Sequence, residues 1–140
     1  MRARALLDTG PLVAFLDRRD RYHRWVTEQW DQIDPPLFTC EPVLSEACFL
    51  LRDVPGGGPA VLDLVVRGVL RVGLAIEKEA AAIRKLMSRY ASVPMSLADA
   101  CLVRMAERQP GSRVLTLDRD FRVYRMQGRQ VIPTAMPPDL

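Results

Sequence analysis

Four acidic residues in this sequence occupy positions in which a carboxylate needs an explanation. Asp8 and Asp118 each follow a short apolar run that predicts a buried strand, and open α/β sheets bind ligands at the carboxyl ends of their strands. Asp99 and Glu46 lie among apolar neighbours in two predicted helices. A carboxylate buried among apolar groups must be paired, protonated or bound to a metal, because an isolated buried charge is costly. A metal site is therefore one of the explanations that these residues leave open.

Each of these acids also has an ordinary structural interpretation. Asp8 precedes Thr9-Gly10-Pro11 and could cap the helix that begins there, and Asp118 could form a turn. Asp99 follows the helix cap Ser96 by three residues, so it could interact with the helix N-terminus. Glu46 could face solvent, although no lysine or arginine lies three or four residues away to pair with it. The sequence of the helix around Glu46 is apolar on most sides, which predicts a largely buried helix.

The elements that must position these acids alternate between strand and helix. The predicted strands are 4–8, 37–40, 70–74, 113–117 and 130–133. The predicted helices are one that opens at Gly10-Pro11, then 23–33, 41–52, 60–68, 77–90 and 97–109. The Pro-rich tail 133–140 predicts an irregular end. Alternating strands and helices favour an α/β fold, with a mainly parallel sheet and helices on both faces.

Composition narrows the class of protein. A chain of 140 residues that is 49% hydrophobic and 26% charged is typical of one ordered globular domain, here 1–140. Three scattered cysteines predict reduced thiols rather than a zinc site or a disulfide. No apolar run approaches the length of a membrane span, and Asp8 interrupts the N-terminal one, so we expect a cytoplasmic protein. The net charge of +3 comes almost entirely from arginine and is compatible with a polyanionic partner.

The segments that contain the four acids resemble the successive motifs of PIN-domain proteins, above all the toxin ribonucleases of VapBC toxin–antitoxin pairs. The resemblance covers residues 4–133, with the acids in the family's order and on the expected elements. The matching segments are Leu6-Leu-Asp-Thr-Gly-Pro-Leu-Val-Ala-Phe-Leu-Asp17, Leu44-Ser-Glu-Ala47, Ser96-Leu-Ala-Asp-Ala100 and Leu115-Thr-Leu-Asp-Arg-Asp-Phe121.

The resemblance implies a role for each matching residue. The implied catalytic residues are Asp8, Glu46, Asp99 and Asp118. A metal ion would be held by Asp8, Asp99 and Asp118. Supporting hydrogen bonds around them would come from Thr9, Thr116 and the additional acid Asp120. Phosphates of bound RNA would be held by Arg119 and Arg122.

The resemblance also implies a fold, a cofactor and partners. The fold would be a three-layer α/β/α arrangement of about five strands in the order 3-2-1-4-5, which places the first and fourth strands side by side. Oxygen ligands without His or Cys favour Mg²⁺ or Mn²⁺ over zinc. The expected activity is metal-assisted hydrolysis of RNA phosphodiester bonds. The expected partners are RNA, a small antitoxin protein and a second copy of the chain in a homodimer.

Other functions fit the same class of fold. A PIN-like module could bind RNA or a protein without cutting, although a complete acidic set favours cleavage. A phosphatase of the haloacid-dehalogenase type would show Asp-x-Asp after the first strand, where this chain has Asp8-Thr9-Gly10. A receiver domain would need an acidic pair, a phosphoacceptor and a lysine that these strands do not supply. The segment Tyr22 to Ile33, with Trp25 and Trp30, could be a contact surface or part of the core.

Overall fold

A five-stranded parallel sheet lies at the centre of the computed structural model, which describes residues 4–140. The chain forms seven strands in this range: β1 (Ala5–Leu7), β2 (Leu37–Thr39), β3 (Leu70–Val72), β4 (Arg113–Leu115), β5 (Arg125–Met126), β6 (Gln130–Val131) and β7 (Thr134–Ala135). The order in the main sheet is β3-β2-β1-β4-β7, and all four pairings are parallel. This confirms the predicted α/β class and the central position of the first strand beside the fourth.

Six α-helices connect and flank the strands. They are α1 (Thr9–Leu16), α2 (His23–Asp31), α3 (Glu41–Leu50), α4 (Gly57–Val66), α5 (Ile76–Arg89) and α6 (Leu97–Arg108), followed by a short 3₁₀ helix (Arg119–Arg122). Helix α1 packs against α2 and α3, α3 packs against α4, and α5 packs against α6. Within residues 4–140, no helix combines the length and the apolar character that crossing a membrane requires.

The strand predicted at 130–133 forms over Gln130–Val131 but does not join the main sheet, and the tail predicted to be irregular contains strand β7. Gln130–Val131 instead pairs antiparallel with Arg125–Met126 across a turn in which Gln127 and Gly128 have positive φ. The edge of the main sheet is formed by β7, within the predicted tail, because the Val114 and Thr116 N–H groups donate to the carbonyls of Pro133 and Ala135. Backbone hydrogen bonds decide this pairing, and side-chain periodicity does not report them.

The central strands are buried on both faces, as a parallel sheet covered by helices requires. Leu6 and Leu7 of β1 are fully buried, and Val114 and Leu115 of β4 are at most 1% exposed. Trp30 also belongs to the core, because its ring stacks on Phe15 at a centroid distance of 3.8 Å. Trp30 is therefore part of the core, whereas Trp25 is only partly buried against it.

The prediction that the helix around Glu46 is largely buried is wrong. Within α3 only Val43 and Ala47 are buried, whereas Phe49 and Leu50 are 61% and 54% exposed. The helix packs against α1, α4 and α6, and this packing leaves the side that carries Phe49 and Leu50 exposed. An apolar sequence therefore does not ensure burial here, because the contacting elements cover only part of the helix.

Helices α5 and α6 are joined by a charged cluster at a largely buried carboxylate. Glu79 accepts hydrogen bonds from Arg104 Nε at 2.7 Å and from the Arg108 guanidinium, and Arg104 also contacts Glu107. The hydrogen bond from Arg104 lowers the pKa of Glu79 below its usual value of 4.5, with Arg108 adding to the effect. The ion pairs therefore stabilise the folded chain when Glu79 is ionised.

We expect Glu79→Gln to lower the melting temperature by a few degrees at pH 7, because a neutral amide loses the charge that both arginines contact. The stabilisation from a lowered pKa exists above about pH 4.5 and disappears as pH falls through the folded value. Melting curves of the wild type and the variant should therefore converge as the pH falls below the folded pKa of Glu79. Glu77→Gln, on the exposed side of the same helix, is the control. An equal deficit at every pH would contradict this interpretation.

Candidate active site

The sheet brings Asp8 and Asp118 together at one edge. Leu7 at the end of β1 is the register partner of Leu115 at the end of β4. The pairing continues one residue further, where the Asp8 N–H donates to the Leu115 carbonyl at 3.1 Å. The acids that follow these two strands therefore lie at the carboxyl edge of the same sheet, where parallel sheets place their ligand sites.

The carboxylate of Asp8 is buried, and each of its oxygens accepts one hydrogen bond from the chain. Its Oδ1 accepts from the Thr9 N–H at 2.8 Å, and its Oδ2 accepts from the Thr116 hydroxyl at 2.7 Å. Thr116 is completely buried, and its Oγ1 accepts in turn from the Asp118 N–H at 2.9 Å. One threonine thus fixes the positions of both acids relative to each other.

Burial raises the pKa of Asp8 from 3.8 to about 7. The hydrogen bonds from Thr116 and Thr9 favour the charged form and oppose this shift, whereas the nearby charges of Asp99 and Asp118 add to it. The Asp8 carboxylate therefore lacks the positive charge that would make its ionisation favourable. No lysine or arginine of the described chain forms a salt bridge with it.

Asp99 is positioned at the start of α6 by a capping box. The Asp99 N–H donates to Ser96 Oγ at 3.0 Å, and the Ser96 N–H donates to Asp99 Oδ2 at 3.3 Å. The same Oδ2 accepts from the buried hydroxyl of Tyr124 at 2.9 Å. Desolvation raises the pKa of Asp99, and the neighbouring Asp118 charge adds to this rise.

Tyr124 is a positioning residue that sequence reasoning missed. It is completely buried and packs edge-on against Tyr90 and Phe121, with ring centroids 5.1 and 5.3 Å away. The sequence feature that could have indicated it is an aromatic residue three positions after Phe121, where the last acidic segment ends. Its contact with Asp99 joins residues 25 positions apart in sequence, so only the fold reveals it.

Glu46 approaches the other acids from α3 and remains exposed to solvent. Its Oε2 accepts from the Thr9 hydroxyl at 2.8 Å, while the Thr9 backbone N–H donates to Asp8. Thr9 therefore links Glu46 to Asp8, a supporting role consistent with the predicted one. Glu46 therefore faces solvent, as one of its two interpretations predicted, but its carboxylate also contacts Thr9.

The residues after β4 complete the wall of the cavity that the acids share. Asp118 caps the 3₁₀ helix by accepting from the Asp120 N–H at 2.8 Å. Asp120 and Arg119 both line the same cavity as Asp118. Arg122 lies outside this lining, and its guanidinium donates to the Leu140 carbonyl at 2.7 Å. The predicted phosphate-binding arginines thus occupy two different places.

All four predicted acids line one open cavity of about 640 Å³. Asp120 is a fifth carboxylate on its wall, and Arg119 is the one cationic side chain of that wall within the described chain. Helix capping explains the backbone contacts of Asp8, Asp99 and Asp118, because each accepts an N–H at a helix start. Capping does not explain why three capped helices direct their acids into the same space.

These residues fit a hydrated Mg²⁺ or Mn²⁺ ion better than a closed chelate. The cavity wall offers only oxygen ligands, which hard divalent cations prefer. In residues 4–140, no three Asp, Glu, His or Cys side chains form a ready-made metal cage. Mg²⁺ commonly retains several waters and uses one or two carboxylates, so it does not require such a cage. Cys40 and Cys101 are buried free thiols that do not line the cavity.

We expect Asp8→Asn to be more stable than the wild type at pH 8 when divalent ions are absent, because asparagine carries no charge to bury. A raised pKa means that the stability contributed by protonated Asp8 is complete below about pH 3.8 and is lost as pH rises through about 7. Thermal melts in EDTA from pH 4 to pH 8 should show this loss in the wild type and not in the variant. Asp63→Asn, at an exposed acid of α4, is the control and should follow the wild type.

Removing the Tyr124 hydroxyl tests the support of Asp99. We expect Tyr124→Phe to lower the free energy of unfolding by about 1.5–3 kcal/mol at pH 7, the usual range for a hydrogen bond to a charged group. The deficit should shrink when Asp99 is protonated at low pH, and urea denaturation at several pH values measures it. Tyr22→Phe removes an exposed hydroxyl that contacts Asp139 and should have little effect. A pH-independent deficit would mean that the hydroxyl does not act through Asp99.

Comparison with known proteins agrees with this architecture. The crystal structure of VapC20 from Mycobacterium tuberculosis, described as a sarcin-ricin loop cleaving toxin, superimposes with a TM-score of 0.74. The alignment covers 85% of this chain and 93% of that one at 20% identity, which establishes likeness of fold. No curated protein matches the chain. A family model described as the PIN domain matches residues 5–126, which include all four predicted acids. The chain therefore belongs to the PIN domain family.

Proposed function

We propose that this protein is a divalent-metal-dependent endoribonuclease, the toxin of a toxin–antitoxin pair. The observation that carries the proposal is the cavity at the carboxyl ends of β1 and β4, where five carboxylates face one arginine. Membership of the PIN domain family and the shared fold with VapC20, described as a cleaving toxin, support it.

The charge balance of the cavity explains why a cation belongs there. Asp99 and Asp118 both raise the pKa of Asp8, so the acids repel one another when ionised. A divalent cation held by Asp8, Asp99 and Asp118, directly or through water, would reverse the sign of the local field. When bound, Mg²⁺ or Mn²⁺ supplies an activated water and neutralises charge on the phosphoryl oxygens.

The chain's own residues supply orientation and proton transfer. Thr116 holds Asp8 and Asp118 in register, and Tyr124 holds Asp99. Glu46, exposed beside the cavity, is the acceptor for the proton of the attacking water, and the hydroxyl of Thr9 orients its carboxylate. The water oxygen forms a new bond to phosphorus while the bond from phosphorus to the leaving ribose oxygen breaks.

Arginines near the cavity provide contacts for the RNA backbone. Arg119 lies on the wall and can donate to a phosphate adjacent to the one attacked. Arg122 lies three residues further on, where its guanidinium is already engaged by the Leu140 carbonyl. We therefore assign the main phosphate contact to Arg119 and a flanking contact to Arg122. Contacts of this kind hold RNA without reading its sequence.

The expected partners are a small antitoxin and a second copy of this chain. Exposed apolar side chains on α3 and α4 support a protein contact there, since Phe49, Leu62 and Val66 are 61%, 54% and 84% exposed. A second apolar groove runs along α5 between Ile76 and Leu97. Two such surfaces suit one contact with an antitoxin and one within a homodimer. We also propose that the protein acts in the cytoplasm, where RNA and such partners are available.

A cleavage assay with a metal titration tests the proposal. We expect the wild type to cut RNA internally with Mg²⁺ or Mn²⁺ and to stop in EDTA. Asp8→Asn and Asp118→Asn should each lower the rate by at least about 100-fold, the lower range for loss of a catalytic group. Asp63→Asn should retain activity, because that acid is an exposed partner of Arg67 on α4.

The same experiment also defines the results that would contradict the ribonuclease proposal. Full activity in Asp8→Asn would rule out the assigned site. A wild type that binds RNA without cutting it under any divalent metal would instead show a non-cleaving PIN-like module. Metal binding has a separate readout, since Mg²⁺ should raise the melting temperature of the wild type by mass action and leave that of Asp8→Asn nearly unchanged.

A further inference from the structure

A second cavity, of about 550 Å³, lies at the opposite end of the sheet from the acidic one. Its lining includes Arg4, which precedes β1, Arg113, which begins β4, and Arg71 of β3. The acidic cavity lies where β1 and β4 end, whereas this one lies where they begin. Four residues of extended chain, about 13 Å, separate Arg4 from Asp8.

The three arginines of this cavity have no acidic partners. Each is exposed, and none forms a salt bridge with any residue from 4 to 140. Other exposed arginines of the chain do pair, such as Arg24 with Glu28 and Arg67 with Asp63. Asp34 is the one carboxylate among the described lining residues. The described lining therefore carries three positive charges and one negative charge.

One of these arginines is held in place by an aromatic ring. The guanidinium of Arg4 lies over the ring of Phe38, 4.9 Å from its centroid. A guanidinium in this position keeps N–H donors available for an anion while the ring limits its motion. Phe38 is itself the register partner of Arg71 on the adjacent strand. The site is thus partly organised without a ligand.

The dimensions and lining of the cavity exceed what a bare anion needs. Arg71 and Arg113 lie three strands apart, about 14 Å at the usual strand spacing. The wall between the charges carries the apolar residues Ile33, Pro35 and Pro36 beside Phe38, together with the polar Gln32 and Asp34. Ligand sites of this size typically combine an apolar wall with a few directional polar groups. Phosphate suits the arginines, and a flat base suits the apolar wall.

We propose that this cavity binds a nucleoside phosphate, either a free nucleotide or the terminal nucleotide of an RNA. Arg4 and Arg71, which flank Phe38, contact the phosphate above its ring, Arg113 adds positive charge at the start of β4, and the base lies against the proline-rich wall. The site is separate from the acidic cavity and does not depend on cleavage. It goes beyond the proposed ribonuclease function, because it would remain if that function were disproved.

Binding is tested by titration calorimetry on the full chain in EDTA, so that no metal-dependent step contributes. The probes are inorganic phosphate, AMP and a 5′-phosphorylated hexaribonucleotide. We expect AMP to bind more tightly than inorganic phosphate, with affinity that falls as salt rises. Arg71→Ala should weaken AMP binding roughly tenfold, as expected for loss of one charge-assisted contact, and the double variant Arg71→Ala/Arg113→Ala should weaken it at least as much.

The matched control is a second double variant that loses the same number of positive charges as Arg71→Ala/Arg113→Ala. Arg24→Ala/Arg67→Ala removes two exposed arginines elsewhere and should bind AMP like the wild type. Circular dichroism checks that both double variants are folded. A hexaribonucleotide that binds at least tenfold more tightly than AMP identifies an RNA end as the ligand, and equal affinity identifies a free nucleotide.

Three outcomes would overturn the proposal. One is AMP that binds no more tightly than inorganic phosphate, which would remove the nucleoside from the assignment. Another is equal weakening in both double variants, which would indicate general attraction to a basic protein. The third is no measurable binding of any probe at low salt. Cleavage activity affects none of these results. A negative binding result would therefore not contradict the ribonuclease proposal, which the cleavage assay tests separately.

Discussion

The buried carboxylate of Asp8 is the constraint on which the arrangement of the site depends. It lies at the end of the most enclosed strand, where its two oxygens accept from Thr9 and Thr116. Two hydrogen bonds do not offset the cost of removing this charge from water, which is why the pKa of Asp8 rises to about 7. The site therefore carries an unmet demand for positive charge, and Asp99 and Asp118 increase it.

The structure meets that demand with neither lysine nor arginine, although the chain is rich in arginine. Positively charged side chains instead pair with Glu79 between α5 and α6, lie on the surface, or line the cavity at the other end of the sheet. The two ends of the sheet thus differ in sign, with carboxylates at the strand ends and arginines at the strand starts. Such a separation suits the two proposals made above, a cation with its RNA substrate at the acidic end and a second phosphate site at the basic end.

Capping and catalysis are compatible uses of the same acids. A helix N-terminus supplies N–H groups that hold a carboxylate in a fixed direction, and Asp8, Asp99 and Asp118 are all held in this way. Fixed carboxylates lose little conformational entropy when they bind an ion, which is the advantage of a preorganised site. The ordinary structural interpretation of each acid therefore explains how it is positioned, and their convergence explains what they do together.

The sequence by itself determined the alternation of strands and helices, the acids that follow β1 and β4, and the oxygen-only character of their site, because local patterns encode these features. Only the tertiary structure decided that β7 forms the sheet edge, that Tyr124 supports Asp99 and that one side of α3 is exposed. Those outcomes depend on contacts between residues distant in the chain and on which surfaces find a partner. A single sequence carries no local signal for either.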